Sequence, residues 1–209
     1  MKVEDLQQVR PGFYDAALGS QTVFRTALTA LSHPGRVIDM PLVSELPRTG
    51  HGAAAMLLEA LLDSDCGIWL SASLANSDAA AWLRFHTGCR WAADAATARF
   101  VWVAQGDQLP ALAALDAGTD EYPDQSATCV VEVPTLHPAE HADMALTGPG
   151  IATEQLLAVE GLPEDFINQW ACNHQRFPRG VDLFLASATH IIGLPRSTHI
   201  RAAKTHPEG

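Results

Sequence analysis

Apolar and polar positions along this chain change their period several times, and each change marks an element. Residues 52–63, GAAAMLLEALLD, favour helix and are almost wholly apolar, with Glu59 the single charge before Asp63, so this helix is expected to be covered on more than one side. A second helix begins at Ser20, a good cap, and places Phe24, Leu28 and Leu31 on one face until Ser32, His33, Pro34 and Gly35 stop it. Asn76 predicts the cap of a third, over 77–87, closed by Gly88. Pro163, Glu164 and Asp165 suit the first turn of a last helix whose core face is Phe166, Ile167, Trp170 and Ala171.

Between the helices lie short β-prone runs at 36–40, 67–70, 99–104, 128–133, 142–146 and 155–159, with a short helix expected after Gly106. Near the end, Val181, Leu183 and Leu185 alternate with Asp182, Phe184 and Ala186, a polar turn follows at Thr189 and His190, and Ile191 and Ile192 begin the return strand. That pattern is a hairpin. Strands interleaved with helices and closed by an antiparallel hairpin predict an α/β layered sandwich with a mixed, largely central β-sheet. A chain of 209 residues is long enough for one core that buries roughly 70% of its unfolded surface, and one domain over 1–209 is expected, with an N-terminal arm at 1–19 and a disordered tail at 201–209.

Composition narrows the function. Charged residues make up 18% of the chain and apolar ones 47%, so part of the apolar surplus is expected to cover a partner. With 13 Lys+Arg against 24 Asp+Glu the net charge is -11, which argues against a nucleic-acid ligand. No apolar run is long enough for a membrane span and the first 20 residues hold no signal-peptide core, so a cytoplasmic protein is expected. Cys66, Cys89, Cys129 and Cys172 are far apart and form no C-x-x-C pair, which points to free thiols.

Candidate chemistry centres on two matching turns, FPRG at 177–180 and LPRS at 194–197. Proline restricts each turn, so Arg179 and Arg196 are expected to project from fixed backbone, near one another, with Ser197 and Thr198 alongside. Two readings stand side by side: the guanidiniums hold a phosphate or phosphonate, or they pair with carboxylates such as Asp182 and Glu132. Asp182 is expected to orient Arg179 as a structural partner and not to act as a base. Thr147, Gly148, Pro149 and Gly150 leave backbone N–H groups uncovered at a strand end, either an anion nest or a tight turn, and no P-loop signature follows. Arg25, beside the apolar stripe, and Arg36 with His33, in the SHPG turn, complete the anion candidates. HPAEH at 137–141 matches a zinc-protease spelling, but the Pro and Gly around it leave no sustained helix to carry two ligands, so no metal is expected. No catalytic residue is assigned: no G-x-S-x-G elbow and no Cys-His setting is present.

Taken in order, FRTALTALSHPGR at 24–36, HGAAAMLLEALLD at 51–63, LTGPGI at 146–151, FPRGVDL and LPRSTHI resemble the PhnH family, one component of the bacterial carbon-phosphorus lyase system for using phosphonates. The likeness spans about residues 20–200. Leu31 and His33 depart from it where Met and Arg are expected, which weakens an anion role for His33. The resemblance implies a fold similar to the pyridoxal-phosphate-dependent transferases without the cofactor, a homodimer, and assembly with the G, I and J subunits. It implies a role in forming ribose 1-phosphonate 5-triphosphate from ATP and a phosphonate such as methylphosphonate, on the way to a cyclic ribose phosphate. The residues test one part directly: a pyridoxal Schiff base needs an interior lysine, and Lys2 and Lys204 lie in the terminal arms. The alternative function is a self-sufficient transferase acting on a phosphorylated small molecule at a dimer interface.

Overall fold

The computed structural model describes residues 9–138 and 142–203. Two short strands near the start, β1 (Gly12–Phe13) and β3 (Ser44–Glu45), pair with each other in a ribbon of their own. The main sheet has seven strands: β2 (Ile38–Asp39), β4 (Gly67–Leu70), β5 (Arg90–Trp91), β6 (Phe100–Val103), β7 (Thr128–Glu132), β11 (Asp182–Ala186) and β12 (His190–Leu194). They run through the middle in the order β2-β12-β11-β7-β6-β4-β5. From β11 to β5 all neighbours are parallel, and the hairpin return β12 adds an antiparallel edge that β2 extends. The sheet is therefore mixed and central, as the pattern of the chain predicts.

Both faces of this sheet are covered, which is why its strands read as near-continuous apolar runs. Trp102, Val130, Phe184 and Ala186 belong to one core, with the helices α1 (Ala16–Ser32), α2 (Gly52–Leu61) and α4 (Asp78–Thr87). Their strand neighbours Val101, Val103, Cys129, Val131, Leu183 and Leu185 belong to the other. That second core is closed by α5 (Phe166–Gln175) and by a four-stranded sheet of β8 (Leu136–Pro138), β9 (Met144–Thr147), β10 (Gln155–Val159) and β13 (His199–Ala202). Helix α2 buries six successive residues from Ala53 to Leu58, in line with its dry composition. No helix among the described residues is long and apolar enough to cross a membrane.

Several boundaries differ from the sequence expectation, each for a physical reason. Helix α1 starts at Ala16, because the Asp15 carboxylate accepts from Leu18 N–H at 2.9 Å and caps it ahead of Ser20; the N-terminal arm is shorter by that turn. Its buried face is Gly19, Val23, Ala27 and Ala30, whereas Phe24 and Leu28 are 45% and 51% exposed. The reason is contact height. At Gly193 on β12 an added Cβ would lie 2.5 Å from the carbonyl carbon of Ala30, so backbone meets backbone and only small residues fit between.

Ser77, not Asn76, caps α4, its hydroxyl accepting from Ala79 N–H, and a one-turn helix α3 (Ala72–Ala75) precedes it. After Gly106 the chain makes a turn and only a 3-10 segment at Leu112–Ala114. In the run 36–40 only Ile38 and Asp39 form strand, and the run from Ala142 begins pairing at Met144. The tail is ordered further than expected: β13 carries Arg201 and Ala202 against β9, while 204–209 lie outside the described residues. Of HPAEH, the first two positions close β8 and the other three lie outside the described residues.

Candidate functional site

Three of the four glycine- or proline-bearing turns meet beside the β12 edge. A Cβ on Gly150 (φ 84°) would stand 2.2 Å from the Ser32 carbonyl oxygen and 3.0 Å from Pro34 Cδ; one on Gly148 (φ 135°) would stand 3.1 Å from the Ser197 carbonyl oxygen. The TGPG turn thus wedges between the SHPG and LPRS turns, and the close approach of their backbones leaves no room for a side chain at Gly148 or Gly150. Its place is between β9 and β10, which pair antiparallel. Thr198 is fully buried, its carbonyl accepting from Trp170 Nε1 at 2.8 Å and its N–H donating to Pro195.

The two Pro-Arg turns do approach one another, since Arg196 Nη1 reaches the Pro178 carbonyl at 3.5 Å. Asp182 is a carboxylate partner as expected, but of Arg196 and not of Arg179. Asp182 takes Arg196, with Nη2 at 2.5 Å, Nε at 3.1 Å and the Arg196 backbone N–H at 2.7 Å, and Arg196 Nη1 also donates to Pro123 O. Arg179 instead lies 3.0 Å from Asp120 through Nε, an ion contact whose N–H makes no aligned hydrogen bond. Asp182 therefore orients Arg196, because the two face each other across the β11–β12 hairpin while Arg179 turns toward the loop before β7. An anion at Arg196 would have to displace a bidentate carboxylate. Arg25 and Arg36 are exposed on α1 and in the turn behind it.

Glu132, the other carboxylate expected near the arginines, points elsewhere. It ends β7, is 4% exposed, and accepts from His51 N–H at 2.6 Å, Trp102 Nε1 at 3.0 Å and Gln105 N–H at 3.2 Å. The His51 N–H opens α2, so the charge sits at the positive end of that helix. His51 Nδ1 is 3.1 Å from the Ala186 carbonyl; a carbonyl only accepts, so Nδ1 donates to it and, in the neutral ring, Nε2 is the acceptor. Among the described residues no hydroxyl or thiol is bonded to that Nε2.

These groups lie where the parallel strands end, the side of such sheets on which ligands are bound. Beside Glu132 is a cleft of about 210 Å³ lined also by Asp107, Gln108, Gly161 and Pro163. Asp107 accepts from Ser73 Oγ at 2.7 Å and from Ser73 N–H at 2.9 Å, and the hydroxyls of Ser71 and Ser73 hold its carboxyl below the ordinary range. Glu132 is buried with both oxygens taken by its three donors, so Asp107 is the carboxylate the cleft presents, a negative lining that disfavours phosphoryl oxygens. The visible trace of this arrangement in the sequence is one acid closing the otherwise apolar run TCVVEV; nothing in the spacing joins it to His51.

Nearly the whole chain, residues 11–201, matches the family model described as bacterial phosphonate metabolism protein (PhnH). The chain belongs to the PhnH family. It is 34% identical over 188 residues to the "Alpha-D-ribose 1-methylphosphonate 5-triphosphate synthase subunit PhnH" of Rhizobium meliloti (strain 1021), covering 90% of this chain and 93% of that one. It is 36% identical over 190 residues to the "Putative C-P lyase subunit protein HtxG" of Stutzerimonas stutzeri, covering 89% of this chain and 88% of that one. The turns and clefts described above all fall within the region that matches the PhnH family model.

Proposed function

We propose that this chain is a docking subunit of a carbon-phosphorus lyase assembly. In that role it supports the formation of ribose 1-phosphonate 5-triphosphate from ATP and a phosphonate without performing the reaction alone. The observation that carries this reading is the state of its reactive side chains. Arg196 is locked to Asp182, and Glu132 is occupied by three donors. His51 Nε2 has no nucleophile bonded to it among the described residues. The names of both relatives, each a subunit, point the same way. We carry over from the family resemblance a cytoplasmic setting, the G, I and J subunits as partners, a homodimer in the isolated chain, and a transferase-like ancestry without pyridoxal phosphate. The sequence from 3 to 203 holds no lysine for that cofactor.

The test is reconstitution. The chain alone, incubated with ATP and methylphosphonate, is expected to release no adenine, and the chain co-expressed with G, I and J is expected to co-purify with them in an active assembly. Turnover by the lone chain, or failure to co-purify, overturns the proposal. A second reading, a transferase acting on a phosphorylated substrate, draws on the fixed tautomer of His51 above the strand ends. It requires turnover by the lone chain that His51→Gln abolishes.

A further inference from the structure

Large apolar side chains left in water are not scattered over this protein. Among the described residues nine are strongly exposed, and five of them, Tyr14, Leu18, Phe24, Leu28 and Leu42, lie on α1 or at the loop whose Val43 carbonyl accepts from Tyr14 N–H. Helix α1 has spent its other face on β12 and α2, where Gly19, Val23, Ala27 and Ala30 are buried. At 100° per residue, Leu18, Arg25, Leu28 and Phe24 fall within one outward arc of the same helix, while Leu31, at the margin of that arc, packs partly against the core. Tyr14, Leu18, Phe24, Leu28 and Leu42 together expose on the order of 500 Å² of mostly apolar surface. That is near the top of the range for a lone monomer and more than half of the ~800 Å² one partner gives to a standard interface.

Charge decides what covers this arc. Helix α1 contains no acidic residue, and its single charge is Arg25, midway along the row, exposed and without an ion pair among the described residues. The chain around it is strongly acidic, with a net charge of -11. A second copy packed on this row about a two-fold axis would bring Arg25 close to its own duplicate inside a drying apolar contact, with no carboxylate on the helix to relieve it. A different protein that presents apolar side chains around one Asp or Glu satisfies both the row and the guanidinium.

We propose that the outward face of α1, with Leu42, is the docking surface for another subunit of the lyase assembly, which meets it with an apolar patch and a carboxylate for Arg25. This rests on the subunit reading above and adds the surface and its chemistry. The experiment is quantitative capture on a tagged set of the other lyase subunits, co-expressed with the full chain. Leu28→Asp and Arg25→Glu are expected to lower capture at least tenfold. Arg25→Lys is expected to retain most of it, and Trp91→Ser, at an exposed apolar site on the far sheet edge, to retain all. Circular dichroism melts identify a variant that fails through misfolding; Leu28→Ser then replaces Leu28→Asp.

If the wild-type chain is not captured, the subunit reading falls and this inference with it. Capture of wild type and Leu28→Asp in equal amount overturns this inference alone. Light scattering on the lone chain supplies the other outcomes: a Leu28→Asp variant of half the wild-type mass would make the face a self-interface. Removal of residues 2–8 that raises the binding of an apolar dye, lost again on adding Leu28→Asp, would make those residues its cover. Either result overturns the proposal.

Discussion

The pairing of Asp182 with Arg196 can be tested as an energy. Asp182→Ala removes the acceptor of two guanidinium bonds, at 2.5 and 3.1 Å, and of the Arg196 backbone N–H at 2.7 Å. The side chains of Arg196 and Asp182 are 14% and 21% exposed, so the charge left behind at Arg196 is largely out of water and keeps only the Pro123 and Pro178 carbonyls. Bonds to charged groups contribute about 1.5–3 kcal/mol each, and stranding one partner of a buried pair costs about 3–5 kcal/mol. Partial exposure places the expectation at the low end, about 3 kcal/mol. With a urea slope of about 2 kcal/mol/M, the denaturation midpoint is expected to fall by roughly 1–2 M at unchanged slope. Arg196→Ala is expected to be milder, since Asp182 regains water more readily than a guanidinium wedged under two carbonyls. The double variant is expected to show a coupling of at least about 1.5 kcal/mol. Additive losses, with coupling below about 0.5 kcal/mol, would refute the claim that these residues act as one unit. An Arg196→Ala variant of full stability that loses phosphate binding would return the residue to the anion reading.

Three further outcomes follow from the packing. Burial pushes the Glu59 carboxyl up, against the Ser44 hydroxyl and the Phe13 N–H that pull it down. Its folded pKa exceeds the unfolded one, so its contribution is present below the unfolded value and lost as pH rises through the folded one. In Tm series from about pH 4 to pH 7, wild type is expected to lose ground to Glu59→Gln, and a gain with rising pH would contradict the assignment. Gly193→Ala places a methyl 2.5 Å from the Ala30 carbonyl carbon, and since the obstacle is helix backbone the expected loss is about 1–3 kcal/mol, read as a lower Tm; an unchanged Tm would show that α1 can lift freely. Cys129, fully buried with its thiol pushed up to about 12, is expected to resist alkylation in the native protein while exposed Cys172 reacts first, as mass spectrometry of timed samples would show; the reverse order would sink the burial argument.

The layered α/β architecture was legible because its strands are apolar on both faces and its helices carry strong local signals. The dry run from Ala53 and the alternation through 181–186 needed no tertiary information. The face of α1 was not legible. By size, Phe24 and Leu28 outrank Val23, Ala27 and Ala30, and only the approach of Gly193 on a distant strand reverses that order; Leu31 alone of the expected face packs partly against the core. The same holds for the site. The Pro-Arg turns announce their arginines, but which carboxylate meets which depends on whether each turn faces across the hairpin or toward the loop before β7. Glu132, His51 and Asp107 come together only where three separate strands end.

The joint between α1 and β12 sets a distance with main-chain atoms alone. A helix seated on a bare glycine cannot be raised or lowered by drift among ordinary side chains, so whatever stands on its far side is held at a constant elevation above the sheet. A lesion at Gly193 would then be felt by a visiting protein that never touches it.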